Sequence, residues 1–287
     1  MARALRQEEL GFTLTELAVA MAIVALLLGG LMHTLSAQTE QRNFEETRRR
    51  LDQARELLLS FAVVKGRLPC PARYASTSSH SQGLESFCTS AATSTTSTCS
   101  GSETTTEQTH GTCSNHWDGY LPAVSIGYAH TDSSGFAVDP WGNRIRYAVT
   151  RMNTNCSGAT PPPSSWTTMY TSKSYLKTYG ISCQPDDLLI CKSGSGISGT
   201  GCGSASNQLM ATSLVVAIVF STGKNTATGG TGTDEAANTD GNRIFVFHTP
   251  TPDNPDTPST NEEFDDQFTW ITVGEFYGKL IAAGVLP

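Results

Sequence analysis

The sequence has 287 residues, of which 38% are hydrophobic, so it can bury a sizeable core in one or two domains. Its formal net charge is -7, with 26 acidic against 19 basic side chains. That balance lacks the broad basic surface typical of nucleic-acid-binding proteins, and we predict no nucleic-acid partner.

The chain opens with a polar segment, 1–11, followed by an apolar run from Phe12 to Met32. As a helix with a rise of about 1.5 Å per residue, this run would reach roughly 30 Å, enough to cross the core of a bilayer. Its one ionisable side chain is Glu16. A carboxylate at that depth costs several kcal/mol unless it is paired. If the chain were cut between Gly11 and Phe12, the new α-amine would lie one helical turn before Glu16, and the amine of a neighbouring copy would also reach it.

The sequence GFTLTE at 11–16, followed by an apolar helix, resembles the prepilin cleavage and methylation motif of type IV pilins and type II secretion pseudopilins. The resemblance implies that a prepilin peptidase cuts after Gly11, methylates Phe12 and releases the leader 1–11. It implies that Glu16 is the carboxylate used in assembly with other pilins or pseudopilins. It also implies a single-pass inner-membrane protein with a periplasmic head, which then enters a pilus or a secretion filament.

Two other interpretations of the N-terminus remain open. An ordinary secretory signal peptide would end near 35–37, although its apolar region is usually 7–15 residues long and rarely contains a glutamate. A plain transmembrane anchor is the second alternative.

The helix is predicted to continue to Lys65, because 33–65 contains no proline or glycine and ends at Gly66. An apolar stripe with charged residues opposite it consists of Phe44, Leu51, Leu58 and Ala62. A helix over 12–65 would be about 80 Å long. We assign 12–34 to the membrane or filament core and expect 35–65 to pack on the chain's own globular head, 66–287.

Eight cysteines lie in the head, and none forms a C-x-x-C pair. Downstream of an export signal they indicate disulfides in an oxidising compartment. Pairing neighbours predicts Cys70–Cys113, Cys88–Cys99, Cys156–Cys183 and Cys191–Cys202, one of many connectivities that the sequence allows. The Ser/Thr-rich stretch 75–115 is predicted to be an exposed loop that buries little.

The rest of the head is predicted to be an antiparallel sheet, which gives an α+β, pilin-like fold with the long N-terminal helix across one face. The predicted strands are 144–150, 209–221, 243–248 and 268–273, followed by a short helix over 274–285. The turn 139–143, DPWGN, is similar to one found in major pseudopilins.

Acidic residues crowd the segment before the last strand: Asp253, Asp256, Glu262, Glu263, Asp265 and Asp266. Hard oxygen ligands of this kind suit Ca²⁺. Major pseudopilins bind calcium in a C-terminal loop, so the resemblance makes calcium a candidate cofactor here. We favour the alternative, a solvated acidic loop without metal.

We therefore predict a structural filament subunit, a minor pilin or a pseudopilin, and not an enzyme. A filament-tip adhesin is an alternative, with the Ser/Thr-rich loop and aromatic residues such as Trp117 or Trp166 contacting a surface ligand. A membrane-tethered periplasmic enzyme is another, and it would need a pocket with converging titratable groups.

Overall fold

The computed structural model describes residues 13–74, 81–91, 99, 101–151, 155–156, 168–199, 201–228, 232–252 and 263–286. The side chains of 28–36, 155–156 and 227–228 lie outside that description. The chain divides into two compact units, Met1–Glu45 and Glu46–Pro287.

Helix α1 spans Leu14–Lys65, close to the predicted 12–65. It ends where the sequence predicted, because Gly66 takes a left-handed conformation with φ of 74° and its N–H bonds to the carbonyl of Ala62. Within the second unit, the predicted stripe is buried: Leu51, Leu58 and Ala62 are at most 1% exposed. These side chains join the main hydrophobic core of the head.

The strands of the head are short. In chain order they are β1 Phe87–Cys88, β2 Glu103–Thr104, β3 Gly119–Tyr120, β4 Arg146–Val149, β5 Asn155–Cys156, β6 Cys183–Gln184, β7 Leu189–Cys191, β8 Gln208–Met210, β9 Val215–Ser221, β10 Ile244–Val246 and β11 Gln267–Thr272. The further helices are α2 Ala123–Ile126, α3 Lys173–Tyr179, α4 Thr233–Thr239 and α5 Val273–Ala282.

The main sheet has four antiparallel strands in the order β11-β9-β4-β3. Its central strand β9 is buried along its whole length, as expected of a continuous apolar run. Val216 and Val219 belong to the core that contains Leu58 of α1. Ile218 and Phe220 belong to a second core. The sheet is therefore covered on both faces.

A second sheet corrects the prediction of a wholly antiparallel head. Its order is β10-β7-β8, and β7 runs parallel to β10 while pairing antiparallel with β8. The parallel pair arises because the chain passes through β8, β9 and α4 before returning as β10, a long crossover of the kind that parallel strands require.

The predicted strand 209–221 was wrong in its first half. A turn closed by the Leu214 N–H and the Ala211 carbonyl separates β8 from β9, and Leu209 is 38% exposed. The apolar run of the sequence thus spans two strands that belong to different sheets.

The prediction that 75–115 buries little was also wrong for much of its described part. Strands β1 and β2 pair as a hairpin, and Phe87 is fully buried. Glu85 and Cys113 are buried as well, at 8% and 1% exposure. Glu85 pairs with the Arg67 guanidinium, and Cys113 forms a disulfide with Cys70. Composition alone predicts neither contact.

Candidate functional site

The start of α1 is a reciprocal capping box. The backbone N–H and the hydroxyl of Thr13 both donate to Oε2 of Glu16, each at 2.9 Å. The Glu16 N–H in turn donates to the Thr13 hydroxyl at 3.3 Å. Thr13 is thus the N-cap and Glu16 the third helical residue, the spacing that this motif requires. The carboxylate lies at the first turn of the helix, where the macrodipole favours negative charge.

The predicted processing residues Gly11 and Phe12 lie outside the described residues. The ion pair between Glu16 and a freed amine concerns the cut chain, so it stays a prediction. What the structure adds is a second use of the carboxylate, since Glu16 already accepts two hydrogen bonds from Thr13.

Large apolar side chains cover the surface of α1 over 14–27. Those more than 45% exposed there are Leu14, Leu17, Val19, Met21, Ile23, Val24, Leu26 and Leu27. A contiguous apolar surface of this kind marks a site of contact with a protein or a lipid. Across the described parts of the chain, however, no helix combines enough length with enough apolar character to traverse a bilayer.

Three of the predicted cysteine pairs are disulfides in the structure. They are Cys70–Cys113, Cys88–Cys99 and Cys191–Cys202. The backbones of Cys156 and Cys183 lie directly opposite each other in β5 and β6, and Cys183 is disulfide-bonded. The side chain of Cys156 lies outside the described residues, so the fourth pair stays a prediction.

The turn at 139–143 is organised by the Asp139 carboxylate. Its Oδ1 accepts from the N–H groups of Trp141 and Asn143, at 2.9 and 2.8 Å, and its Oδ2 accepts from the Ser221 hydroxyl at 2.7 Å. The side chain therefore ties this turn to the end of the central strand β9. The motif that the sequence singled out has a structural role in the head.

A buried carboxylate cluster joins α4 to the segment before β11. Glu235, Asp265 and Asp266 are at most 5% exposed, and each has an oxygen within 4.8 Å of the others. Glu235 accepts from the Asn225 amide at 3.0 Å and from the Asp265 N–H at 3.0 Å. Asp266 accepts from the Asn238 amide at 2.7 Å.

Burial raises the pKa of all three carboxyl groups in this cluster. The pKa of Asp265 rises to about 6, and those of Glu235 and Asp266 are also raised. Desolvation is the main cause, and the neighbouring carboxylates add to it. Binding of protons or of a cation would reduce the repulsion among these three buried carboxylates.

The structure describes only some of the residues named as possible calcium ligands. Asp253, Asp256 and Glu262 lie outside the described residues, and Glu263 pairs with the Lys224 ammonium at 3.0 Å. Asp265 and Asp266 do come together, but with Glu235. Three carboxylates carry six oxygens, the lower end of the six to eight that Ca²⁺ takes, and several of these oxygens already accept hydrogen bonds. Calcium stays a prediction.

Sequence reasoning missed Glu235, which lies 30 residues before Asp265; only the packing of α4 brings the two together. Trp117, which the adhesin alternative places at a surface ligand, is partly buried. The indole N–H donates to Asp187 at 2.9 Å, and the ring packs against the second core. Trp166 lies outside the described residues.

Comparison with known proteins gives one match. Residues 6–32 match the family model described as the prokaryotic N-terminal methylation motif, which is the signature of type IV pilins and pseudopilins. Neither the curated proteins nor the solved structures contain a significant match to the chain.

Proposed function

Because residues 6–32 carry the prokaryotic N-terminal methylation motif, we propose that the chain is the precursor of a minor pilin or a pseudopilin. A prepilin peptidase cuts it after Gly11 and methylates Phe12. The processed chain is held in the inner membrane with its head in the periplasm, and is then assembled into a pilus or a secretion filament. Its role is structural and not enzymatic.

The observation that carries the proposal is the position of Glu16 within that motif. It sits at the first turn of a helix whose following surface is apolar, from Leu14 to Leu27. Bundling these helices would replace lipid contacts by protein contacts. A subunit whose Glu16 found no amine would leave a carboxylate unpaired in an apolar core, which costs several kcal/mol. The carboxylate would therefore set the register between neighbours.

Mass spectrometry of the mature N-terminus tests the processing step. We expect a chain that begins with N-methyl-Phe12. A chain that begins at Gln38 would indicate a secretory signal peptide. A chain that still begins with Met1 would indicate a plain transmembrane anchor.

The capping box allows a sharp test of the assembly step. Glu16→Gln keeps a side chain that can accept from Thr13, but it removes the charge. We expect Glu16→Gln and Glu16→Ala to be cut normally and to be incorporated into filaments equally poorly, as measured by immunoblot of sheared filaments. Normal incorporation of Glu16→Gln would show that the carboxylate only caps the helix.

A further inference from the structure

A polar pocket of about 570 Å³ opens on the head. Its volume lies within the range of small-molecule sites. Separate segments of the chain build its walls: the stretch after α1, the β1–β2 hairpin, and the strands β3 and β4. The side chains used below are Arg73, Tyr74, Glu103, Asp118, Tyr120 and Arg146.

The charges of these walls cancel in pairs. Arg73 pairs with Glu103, and Arg146 pairs with Asp118 at 2.8 Å. Each pair keeps a solvent-accessible member, since the side chains of Arg73 and Asp118 are 46% and 36% exposed. The cavity therefore offers fixed N–H donors and carboxylate acceptors without a net charge. An anionic ligand would have to displace a carboxylate from its guanidinium, whereas a neutral hydroxyl can bond to either partner.

Aromatic rings line the same pocket. Tyr74 and Tyr120 both contact the buried Phe136 edge-on, at centroid distances of 5.9 and 5.5 Å. Tyr74 remains 44% exposed, and the Arg144 guanidinium lies 4.2 Å from its ring centroid. Rings fixed in this way present flat apolar surface beside hydrogen-bonding groups, a combination suited to the alternating C–H and O–H faces of a sugar ring.

The walls are held rigidly with respect to each other. Ala72 and Tyr120 exchange two backbone hydrogen bonds, at 2.8 and 2.9 Å, which position Arg73 and Tyr74 against β3. Gly119 permits this approach, because a Cβ there would lie 2.3 Å from Cβ of Pro71. The Cys88–Cys99 disulfide ties Cys99, which lines the pocket, to strand β1. A site that is formed before binding loses little entropy on binding.

We propose that this pocket binds a neutral saccharide. The hydroxyl groups would bond to the Arg73–Glu103 and Arg146–Asp118 pairs, and a ring face would lie against Tyr74 or Tyr120. The site lies wholly in the head, so it goes beyond the proposed function and stands whether or not the chain enters a filament.

Binding of the full-length protein, purified in detergent, to an array of neutral and anionic glycans tests the proposal. We expect binding to neutral oligosaccharides. The affinity for the best of them, measured by calorimetry, should fall at least about tenfold in Tyr74→Ala and in Asp118→Asn. Tyr74→Phe keeps the ring and should bind within about threefold of the unchanged protein. Asp52→Asn makes the same charge change as Asp118→Asn on the exposed face of α1 and should have no effect.

Circular dichroism and thermal melting of each variant separate loss of the fold from loss of the site. The proposal is overturned if no neutral glycan binds, or if binding is confined to sialylated or sulfated glycans. It is also overturned if Tyr74→Ala and Asp118→Asn, once shown to be folded, bind as well as the unchanged protein. None of these readouts depends on cleavage or assembly.

Discussion

The guanidinium of Arg67 donates to both carboxylate oxygens of Glu85, at 2.6 and 3.1 Å, although Arg67 is only 1% exposed. Arg67 lies two residues beyond the end of α1, and Glu85 also accepts from the Cys70 N–H at 2.8 Å. The rings of Phe61 and Phe87 lie 5.4 and 5.2 Å from the guanidinium carbon. The pair therefore locks the exit of the long helix to the disulfide-bonded loops of the head.

Arg67→Met should destabilise the head by about 3–5 kcal/mol, because it leaves the Glu85 carboxylate buried without its counter-charge. Urea denaturation of the full-length protein in micelles measures the loss. Arg49→Met is the matched control, since the Arg49 side chain is 72% exposed in its pair with Glu46 and should contribute less than about 1 kcal/mol. Equal losses in both variants would contradict the structural role of the buried pair.

Leu58→Ala should cost about 2–5 kcal/mol, because Leu58 is fully buried where α1 meets the head core. Val64→Ala, six residues on in the same helix, should change the free energy of unfolding by less than about 0.5 kcal/mol, since Val64 is 79% exposed. A small effect at Leu58 would mean that α1 does not pack on the head in solution.

The disulfides should differ in their contribution to stability. Cys70–Cys113 spans 43 residues and Cys88–Cys99 spans 11. The chain-entropy model gives about 4 kcal/mol for the longer loop and about 3 kcal/mol for the shorter. Paired Cys→Ser replacement, followed by thermal melting, should therefore lower the Tm more for the Cys70–Cys113 pair. The reverse order would show that local packing, and not loop closure, decides the effect.

The head should become less stable as the pH rises through the raised pKa values of the acidic cluster. A folded-state pKa above the unfolded value favours folding while the carboxyl is protonated. With the Asp265 pKa at about 6, its contribution is complete below about pH 4 and is lost as the pH rises through about 6. The loss should reach up to about 3 kcal/mol. Asp265→Asn should flatten this part of the denaturation profile, and Asp52→Asn should not.

Calcium, which the pseudopilin resemblance predicts, would act on the same carboxylates by replacing protons. We expect added CaCl₂ to raise the Tm of the calcium-stripped protein at neutral pH, and Asp266→Asn to remove that rise. An unchanged Tm on addition of CaCl₂ would favour the interpretation of these residues as a metal-free acidic segment.

Local patterns were enough to predict the N-terminal motif, the extent of α1, its buried stripe and the two disulfides that span 11 residues each, Cys88–Cys99 and Cys191–Cys202. Each of these depends on residues close in sequence: a cap and its glutamate three positions apart, side chains repeated at helical spacing, and a glycine that stops the helix. The alternation of 144–150 predicted β4, and the apolar runs of the sequence predicted β11 and the second half of 209–221 as β9.

Contacts between distant segments were decided by the tertiary structure alone. The pairing of β7 with β10, the meeting of Glu235 with Asp265, and the burial of Glu85 beside Arg67 join residues separated by eighteen or more positions. No local pattern encodes such a contact, because its free energy depends on the desolvation and packing that only the assembled head creates. The proposed saccharide pocket also depends on the tertiary structure, since its walls come from segments that are far apart in the sequence.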